Sequence, residues 1–551
     1  MARPLPVVWG DDQLFAFSGY DGRASWDSSI VASTCTRPVG LRIRLPTRAL
    51  LSFGVPPEQV RARLVCSDVI WLETDEGDLR LAMADERTIV GDAPASRAPR
   101  LTSDADPSAI ALLKRMDDSR SRWALAVDPT HAEALAAHGI DMDLSSVIEQ
   151  RLAFLHRCPP SPEDIPPEWC VTLSKAWSVL KVNVYSPQDP IPCRWTTPDR
   201  WPHRHMWLWD SAFHALGWRH VDLEVAWEAI EAVLSQQGED GFIPHIMAPG
   251  YRSRVTQPPI LAWATWELFQ MSHDTERLRR AYPALCRYLE WDLRHRSVAP
   301  FGLLAWHIEG SPLSRSGESG MDNSPRFDQD GPWLAVDFNA YAVSEMTHLS
   351  CMARVLGYEE EACRWAERRA ELAGLINQWL WDDESGFYLD RHADGRWCPV
   401  MAVSGFLPLW AGIASSEQAD RLAAHLTNPD EFWAPFPVPS VSLSDPTHSE
   451  DMWRGSTWIN MNYFVIQGLR RYGFTDLAAG LRVRTLSEIA RWYTTMGGMY
   501  EFFDARGEKP PTQLLRKGGV GDRGGAGFGV ICDYGWTAAL FIDLIMLEAA
   551  S

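Results

Sequence analysis

The chain has 551 residues, 46% of them hydrophobic and 23% charged, the balance of a globular protein too long for one ordinary core. A net charge of −20 with no basic run or stripe argues against nucleic acid and anionic membrane surfaces as partners. The ten cysteines lack CxxC or metal-ligand spacing, the N-terminal stretch lacks a signal-peptide apolar core, and no apolar run is long enough to cross a bilayer. Reduced thiols, no bound metal and a cytoplasmic location are therefore expected.

Residues 1–105 carry short β-type runs separated by turns, at 6–9, 14–17, 69–72 and the alternating 41–45. They predict a small β-rich, sandwich-like N-terminal domain. Residues 106–167 are expected to turn helical, from the Ala- and Leu-rich run at 109–113 through 132–137 to 145–155. The prolines between 158 and 167 break helix and strand alike and mark the boundary. From 168 to 551 the periodicity is helical. Twelve candidate helices fall near 170–182, 208–218, 222–237, 258–272, 274–296, 336–356, 358–381, 401–413, 416–427, 456–472, 474–495 and 532–549. Six hairpins of this kind predict an (α/α)6 barrel, so the fold class is mainly α with a β-rich domain in front.

In such a barrel the odd-to-even connections emerge at one end and the even-to-odd connections at the other. The segments rich in chemistry are all odd-to-even: 206–210, 254–259, 319–326, 453–458 and 499–504. The even-to-odd connections, at 219–221, 273, 357 and 473, are very short. One loop face is therefore expected to carry the function.

Two acids on that face are candidates for paired acid–base work. Asp322 sits in Ser319-Gly320-Met321-Asp322-Asn323-Ser324-Pro325-Arg326, where the alternative reading is a turn or N-cap aspartate. Glu501 sits in Met499-Tyr500-Glu501-Phe502-Phe503-Asp504, with Asp504 and Glu508 as local rivals nearer a polar turn. One carboxyl group protonating a leaving oxygen and one activating a water make an inverting glycosidase. Asp210, beside Trp207 and Trp209, is either a helix N-cap or an acceptor for sugar hydroxyls. Arg454, between Trp453 and Trp458, either binds substrate or pairs with a structural acid, and Gln257 is a further sugar ligand candidate. The excess of tryptophan, 27 in all, suits stacking on sugar rings. His203, His205, His214, His245 and His307 are not spaced as metal ligands. The Gly-rich run at 518–529 lacks the GK[ST] of a phosphate loop and is expected to be a loop that orders over substrate, so no cofactor is implied.

From about 168 to 548 the chain resembles the trehalase-like (α/α)6 glycoside hydrolases, especially glycoside hydrolase family 63 and its mannosylglycerate and glucosylglycerate hydrolase relatives. Trp207-Leu208-Trp209-Asp210-Ser211 is similar to the FWDS signature, Thr256-Gln257-Pro258-Pro259 to SQPP, and the Asp322 segment to SGWDxSxR. Trp453-Arg454-Gly455-Ser456-Thr457-Trp458 is similar to WRGPxW, Tyr500-Glu501-Phe502-Phe503 to the base region, and Tyr534-Gly535-Trp536-Thr537 to the closing GWT. The resemblance implies inversion at an α-glycosidic bond, with Asp322 as acid and Glu501 as base. It places Trp207, Trp209, Asp210, Gln257, Arg326, Trp453, Arg454, Trp458, Tyr500 and Trp536 in segments that hold substrate. The N-terminal β domain and the stretch from 506 to 528 depart from the family pattern.

The expected activity is exo-acting, inverting hydrolysis of an α-linked glucoside or mannoside with a small aglycone or second sugar. A phosphorylase on the same barrel, and a sugar-binding protein without turnover, are the alternatives.

Overall fold

The computed structural model describes residues 4–104, 106, 108–309, 311, 314–518 and 529–549. Its first part is strand: β1 (Leu14–Ala16), β2 (Val31–Thr36), β3 (Val39–Leu45), β4 (Ala49–Ser52), β5 (Arg61–Val65), β6 (Val69–Thr74), β7 (Gly77–Asp85), β8 (Thr88–Pro94), β9 (Arg100–Ser103), β10 (Ile110–Met116) and β11 (Arg120–Val127). One sheet runs β1-β2-β3-β4-β9 and the other β10-β11-β8-β7-β6-β5, each antiparallel throughout. Alternate residues of the second sheet go to different cores, because successive side chains of a strand face opposite ways. Ile70, Leu81, Ile89 and Leu125 meet Leu41 and Leu51 of the first sheet, while Val69, Ala82, Val90 and Ala124 join the helical core behind it.

The run at 109–113, expected to be helical, lies largely in β10, paired with β11 from Ile110↔Val127 to Met116↔Ser121. A short apolar run reads alike as strand or buried helix, and the partner strand decides it. Strand therefore continues past residue 105, and the expected helical stretch at 106–167 begins only with α1 (Ala132–Asp141) and α2 (Leu144–Arg157). The 6–9 run, expected as strand, joins no sheet. The proline-rich connection ends at α3 (Pro167–Val182), with proline at the first helical position, where no N–H is needed.

Twelve helices follow among the described residues, as the periodicity predicted. After α3 come α4 (Leu208–Trp218), α5 (Leu223–Leu234), α6 (Leu261–Ser272), α7 (Thr275–His295), α8 (Val336–Leu356) and α9 (Glu359–Trp379). Then come α10 (Leu407–Ala411), α11 (Ser416–Thr427), α12 (Ile459–Arg471), α13 (Thr475–Met496) and α14 (Gly535–Ala549). Helices α4, α6, α8, α10, α12 and α14 close a ring, each packed on the next, and the odd-numbered helices lie outside them. All eleven residues of α4 are buried, as a helix enclosed on every side requires. Even-to-odd turns are short (219–222, 273–274, 357–358, 412–415 and 472–474), whereas the odd-to-even connections form a loop-rich end. No helix among the described residues is long and apolar enough to cross a membrane.

Candidate active site

The Asp322 connection is held rigidly from behind. Buried Glu318 takes a two-pronged bond from Arg296 (2.9 and 2.7 Å) and accepts the backbone N–H groups of Thr256 (3.3 Å) and His307 (2.8 Å). Gly320 then turns the chain with φ +71°, and a β-carbon there would lie 2.5 Å from the Trp209 ring. Only glycine fits both the backbone and the close approach. The N–H groups of Arg315 and Ser316 donate to the Asp322 carbonyl (2.7 and 3.2 Å), and Ser324 N–H closes a turn on Met321 (2.9 Å). Asp322 is thus a turn aspartate by backbone, yet its carboxylate faces outward to Lys517 Nζ at 2.5 Å. Asn323 Oδ1 accepts the Trp453 N–H (3.0 Å), which joins this connection to the 453–458 segment.

The Glu501 connection leaves α13 through Gly497 at φ +88°, a left-handed helix end. Its backbone is paired on both sides: Glu501 N–H donates to Ile531 O (3.0 Å), and Phe503 and Thr457 exchange two bonds (2.9 and 3.0 Å). Asp533 anchors its start. This carboxylate accepts from Met499 N–H (3.2 Å), from Leu14 N–H in β1 (2.8 Å) and from Lys175 Nζ in α3 (2.7 Å), all buried. One buried group therefore ties the first sheet, the barrel and the Glu501 segment together.

Glu501 itself is buried, forked by Arg516 through Nε (2.8 Å) and Nη2 (3.2 Å), with Ile531 N–H at 3.5 Å. Arg516 Nη2 also meets His203 Nε2 at 3.0 Å, and His203 Nδ1 meets Asp199 Oδ2 at 2.5 Å. A guanidinium only donates, so Nε2 accepts and Nδ1 carries the proton given to Asp199. Burial alone would lower the Arg516 pKa; the Glu501 charge and hydrogen bond more than offset this and push it up.

Beneath these groups lies an aromatic floor. Trp453 and Trp458 stack at 3.7 Å and 2°, and Trp536 stands edge-on to Trp209 (5.3 Å) and Trp458 (5.7 Å). Trp207 is half-buried, edge-on to His203 and His245 (both 5.5 Å). The indole N–H groups of Trp207, Trp453 and Trp536 make no hydrogen bond among the described residues. Asp210 is not the N-cap of α4, a place taken by Trp207; it sits in the first turn, buried, with Tyr534 Oη donating to it at 3.4 Å. Burial, together with the charges of Asp199 and Glu501, pushes its carboxyl pKa well up. Gln257 Oε1 accepts the Trp209 N–H (3.2 Å), and its Nε2 has no partner among the described residues. Burial pushes His245 down to about 4, so it stands neutral near Asp322.

Three expected substrate residues are placed otherwise. Arg326 spends all five donors internally: on Asp337 (2.6 and 2.9 Å), Asp390 (2.8 and 3.1 Å) and Met321 Sδ (3.4 Å), leaving none for a sugar. Arg454 forks Asp328 (2.9 and 2.7 Å) and donates to Asn323 O (3.1 Å), the structural of its two readings. Tyr500 points the opposite way from Glu501, as neighbours in an extended segment do, into the seam lined by Trp9, Asp11, Asp12 and Thr512. Conversely, Asp199, His203, Arg516, Lys517 and Asp533 were not foreseen. A cationic pair just before the Gly-rich run was the one available signal. Most of that run, 519–528, lies outside the described residues, and with it the expectation that it orders over substrate. Among the described residues, no group of three or more His, Cys, Asp or Glu side chains is placed to hold a metal ion.

The family model of the mannosylglycerate hydrolase MGH1-like glycoside hydrolase domain matches residues 203–528, more than half of the chain. A mannosylglycerate hydrolase of Thermus thermophilus is 29% identical over 431 residues, 63% of this chain and 95% of that one. The crystal structure of the GH63 mannosylglycerate hydrolase from another strain of the same species, in complex with glucose, is 29% identical, with a TM-score of 0.53 over 67% of this chain and 98% of its own. A bacterial glucoamylase complexed with acarbose, 10% identical, has a TM-score of 0.60 over 100% of this chain and 96% of its own, a likeness of fold alone. The chain belongs to the mannosylglycerate hydrolase MGH1-like family of glycoside hydrolases, of the GH63 type.

Proposed function

We propose that this glycoside hydrolase is exo-acting and cleaves an α-mannoside or α-glucoside of a small aglycone with inversion, Asp322 being the acid and Glu501 the base. Asp322 gives its proton to the glycosidic oxygen as the bond to the anomeric carbon breaks. A water attacks that carbon from the opposite face and loses its proton to Glu501, so an α-glycoside yields the β-sugar. Arg516, held by His203 and Asp199, fixes the direction in which Glu501 presents its oxygens. Asp210, Gln257 Nε2 and the unpaired indole N–H groups are the donors and acceptors for sugar hydroxyls above the tryptophan floor.

The observation that carries the reading is the pair of carboxylates. They come from two separate odd-to-even connections, and each is bound by one of two consecutive cations, so both face one space. The similarity to mannosylglycerate hydrolases supports a glycosylglycerate as the substrate. All ten cysteines are free, which supports a reducing compartment, the cytoplasm.

The test is proton NMR of the first-formed anomer from mannosylglycerate and glucosylglycerate, in phosphate-free buffer, with Asp322→Asn and Glu501→Gln alongside. A β-anomer from the wild type, and folded variants with turnover down by a thousandfold or more, are expected. An α-anomer first, or near-wild-type turnover in either variant, refutes the assignment.

A further inference from the structure

Consecutive side chains of an extended segment point to opposite sides, so two neighbours reaching into one site need a break in the alternation. The segment at 514–518 has one. Leu514 is buried, Leu515 O accepts the Met452 N–H (3.2 Å), and Gly518 N–H donates to Asp451 Oδ2 (3.0 Å). Between these anchors Lys517 takes φ +52°, a left-handed conformation that is strained for a residue with a β-carbon. The turn swings Lys517 to the same side as Arg516. Arg516 forks Glu501, and Lys517 Nζ lies 2.5 Å from Asp322 Oδ2.

The second contact conflicts with catalysis. An ammonium has three donors and no acceptor, so Asp322 Oδ2 can only accept and cannot be the oxygen that delivers a proton while Lys517 sits there. The acid has to hold a proton in order to deliver it. The other charged and titratable groups around Asp322 are Arg516, the neutral His245 and Glu309, and none of them replaces Lys517 at its carboxylate.

We propose that Lys517 determines specificity for an anionic leaving group: it exchanges Asp322 for a carboxylate on the aglycone, and the exchange frees Asp322 to take the proton it delivers. The reach is right. A glycosidic oxygen hydrogen-bonded to Asp322 at about 2.7 Å lies within about 5 Å of Nζ, so a carboxylate one carbon beyond that oxygen meets the ammonium. Charge balances too. The free site holds one ammonium and one carboxylate; the loaded site holds the ammonium, the substrate's carboxylate and a neutral Asp322, with one proton drawn from solvent. Anion binding is therefore coupled to proton uptake. This rests on Asp322 being the acid.

The experiment titrates D-glycerate, and glycerol as its neutral counterpart, into the full-length enzyme by calorimetry at pH 7. Hepes and imidazole buffers, which differ in ionisation heat, report the protons exchanged. The wild type should take up as much as one proton with glycerate and none with glycerol; Lys517→Met and Asp322→Asn should take up none with either. Steady-state kinetics complete the test. Lys517→Met should lose about ten- to a hundredfold of the preference for glycosylglycerate over a methyl α-glycoside, the weight of one charge-assisted hydrogen bond. Its rate on the neutral glycoside should persist to higher pH, and Lys517→Arg should keep the preference. Glycerate bound by the wild type without proton uptake overturns the proposal whatever the variants do, as does an unchanged preference in Lys517→Met. Wild-type turnover in Asp322→Asn instead sinks the acid assignment beneath it.

Discussion

Glu345 offers a perturbation whose size follows from the structure. It lies buried on the inner helix α8, and its two oxygens accept the N–H groups of Ala262 (2.8 Å) and Trp263 (2.9 Å) in the first turn of α6. It thereby caps the helix whose preceding connection carries Gln257. Burial pushes its pKa from 4.5 up to about 7, against the pull of the two hydrogen bonds. A carboxyl that holds its proton more tightly when folded contributes fully at low pH, and that contribution drains away as pH rises from the unfolded value to the folded one. At about 1.36 kcal/mol per pH unit, the window from 4.5 to about 7 is worth about 3 kcal/mol. Glu345→Gln cannot titrate. Its amide oxygen caps one N–H but its NH2 faces the other, a loss of about 1–3 kcal/mol at every pH. The variant should be clearly less stable than wild type near pH 5 and match or exceed it near pH 8. Urea unfolding followed by tryptophan fluorescence at several pH values measures the difference, in which other titrating groups cancel. A difference that stays constant across the window refutes the account of Glu345.

Further outcomes follow from the other buried charges and the tight turn. Lys175→Met strands the Asp533 carboxylate and should cost about 3–5 kcal/mol in the same unfolding assay, with a fall in kcat as the tie to Met499 loosens. Arg326→Gln leaves Asp337 and Asp390 facing each other unpaired; a loss of about 3–5 kcal/mol, or no folded protein, is expected by thermal melting, whereas a pure ligand role would raise KM and leave the melt alone. Gly320→Ala must relieve a 2.5 Å approach to Trp209 at φ +71°, so kcat/KM should fall more than tenfold by steady-state kinetics.

The elements legible in the sequence were those with a long local signature. Twelve helical periods stand out because an inner helix such as α4 is buried around its whole girth and an outer one such as α7 is apolar along a stripe, and their parity separates a loop face rich in polar and aromatic residues from a plain one. The run at 109–113 was not legible, since five apolar residues carry too little periodicity to choose between strand and helix. Asp322, Glu501, Asp210 and Gln257 were found through the motifs around them, and the structure brings all four to the loop-rich end.

What a charged residue does was beyond the sequence, because it depends on partners far along the chain. Arg326 reads as a ligand until Asp390, 64 residues away, takes its remaining donors. Arg516 and Lys517 look like an exposed pair until a left-handed turn aims one at Glu501, earlier in the same connection, and the other at Asp322 on a different one. Tyr500 and Glu501 are adjacent in one motif, and the pleat sends them to opposite sides. The amino-acid sequence by itself determined the architecture, the loop-rich face and the placing of Asp322 and Glu501 on it, since periodicity and short motifs are local properties. Only the tertiary structure decided which charges are spent on the fold and which remain for chemistry, because an ionic partner is chosen by distance in space.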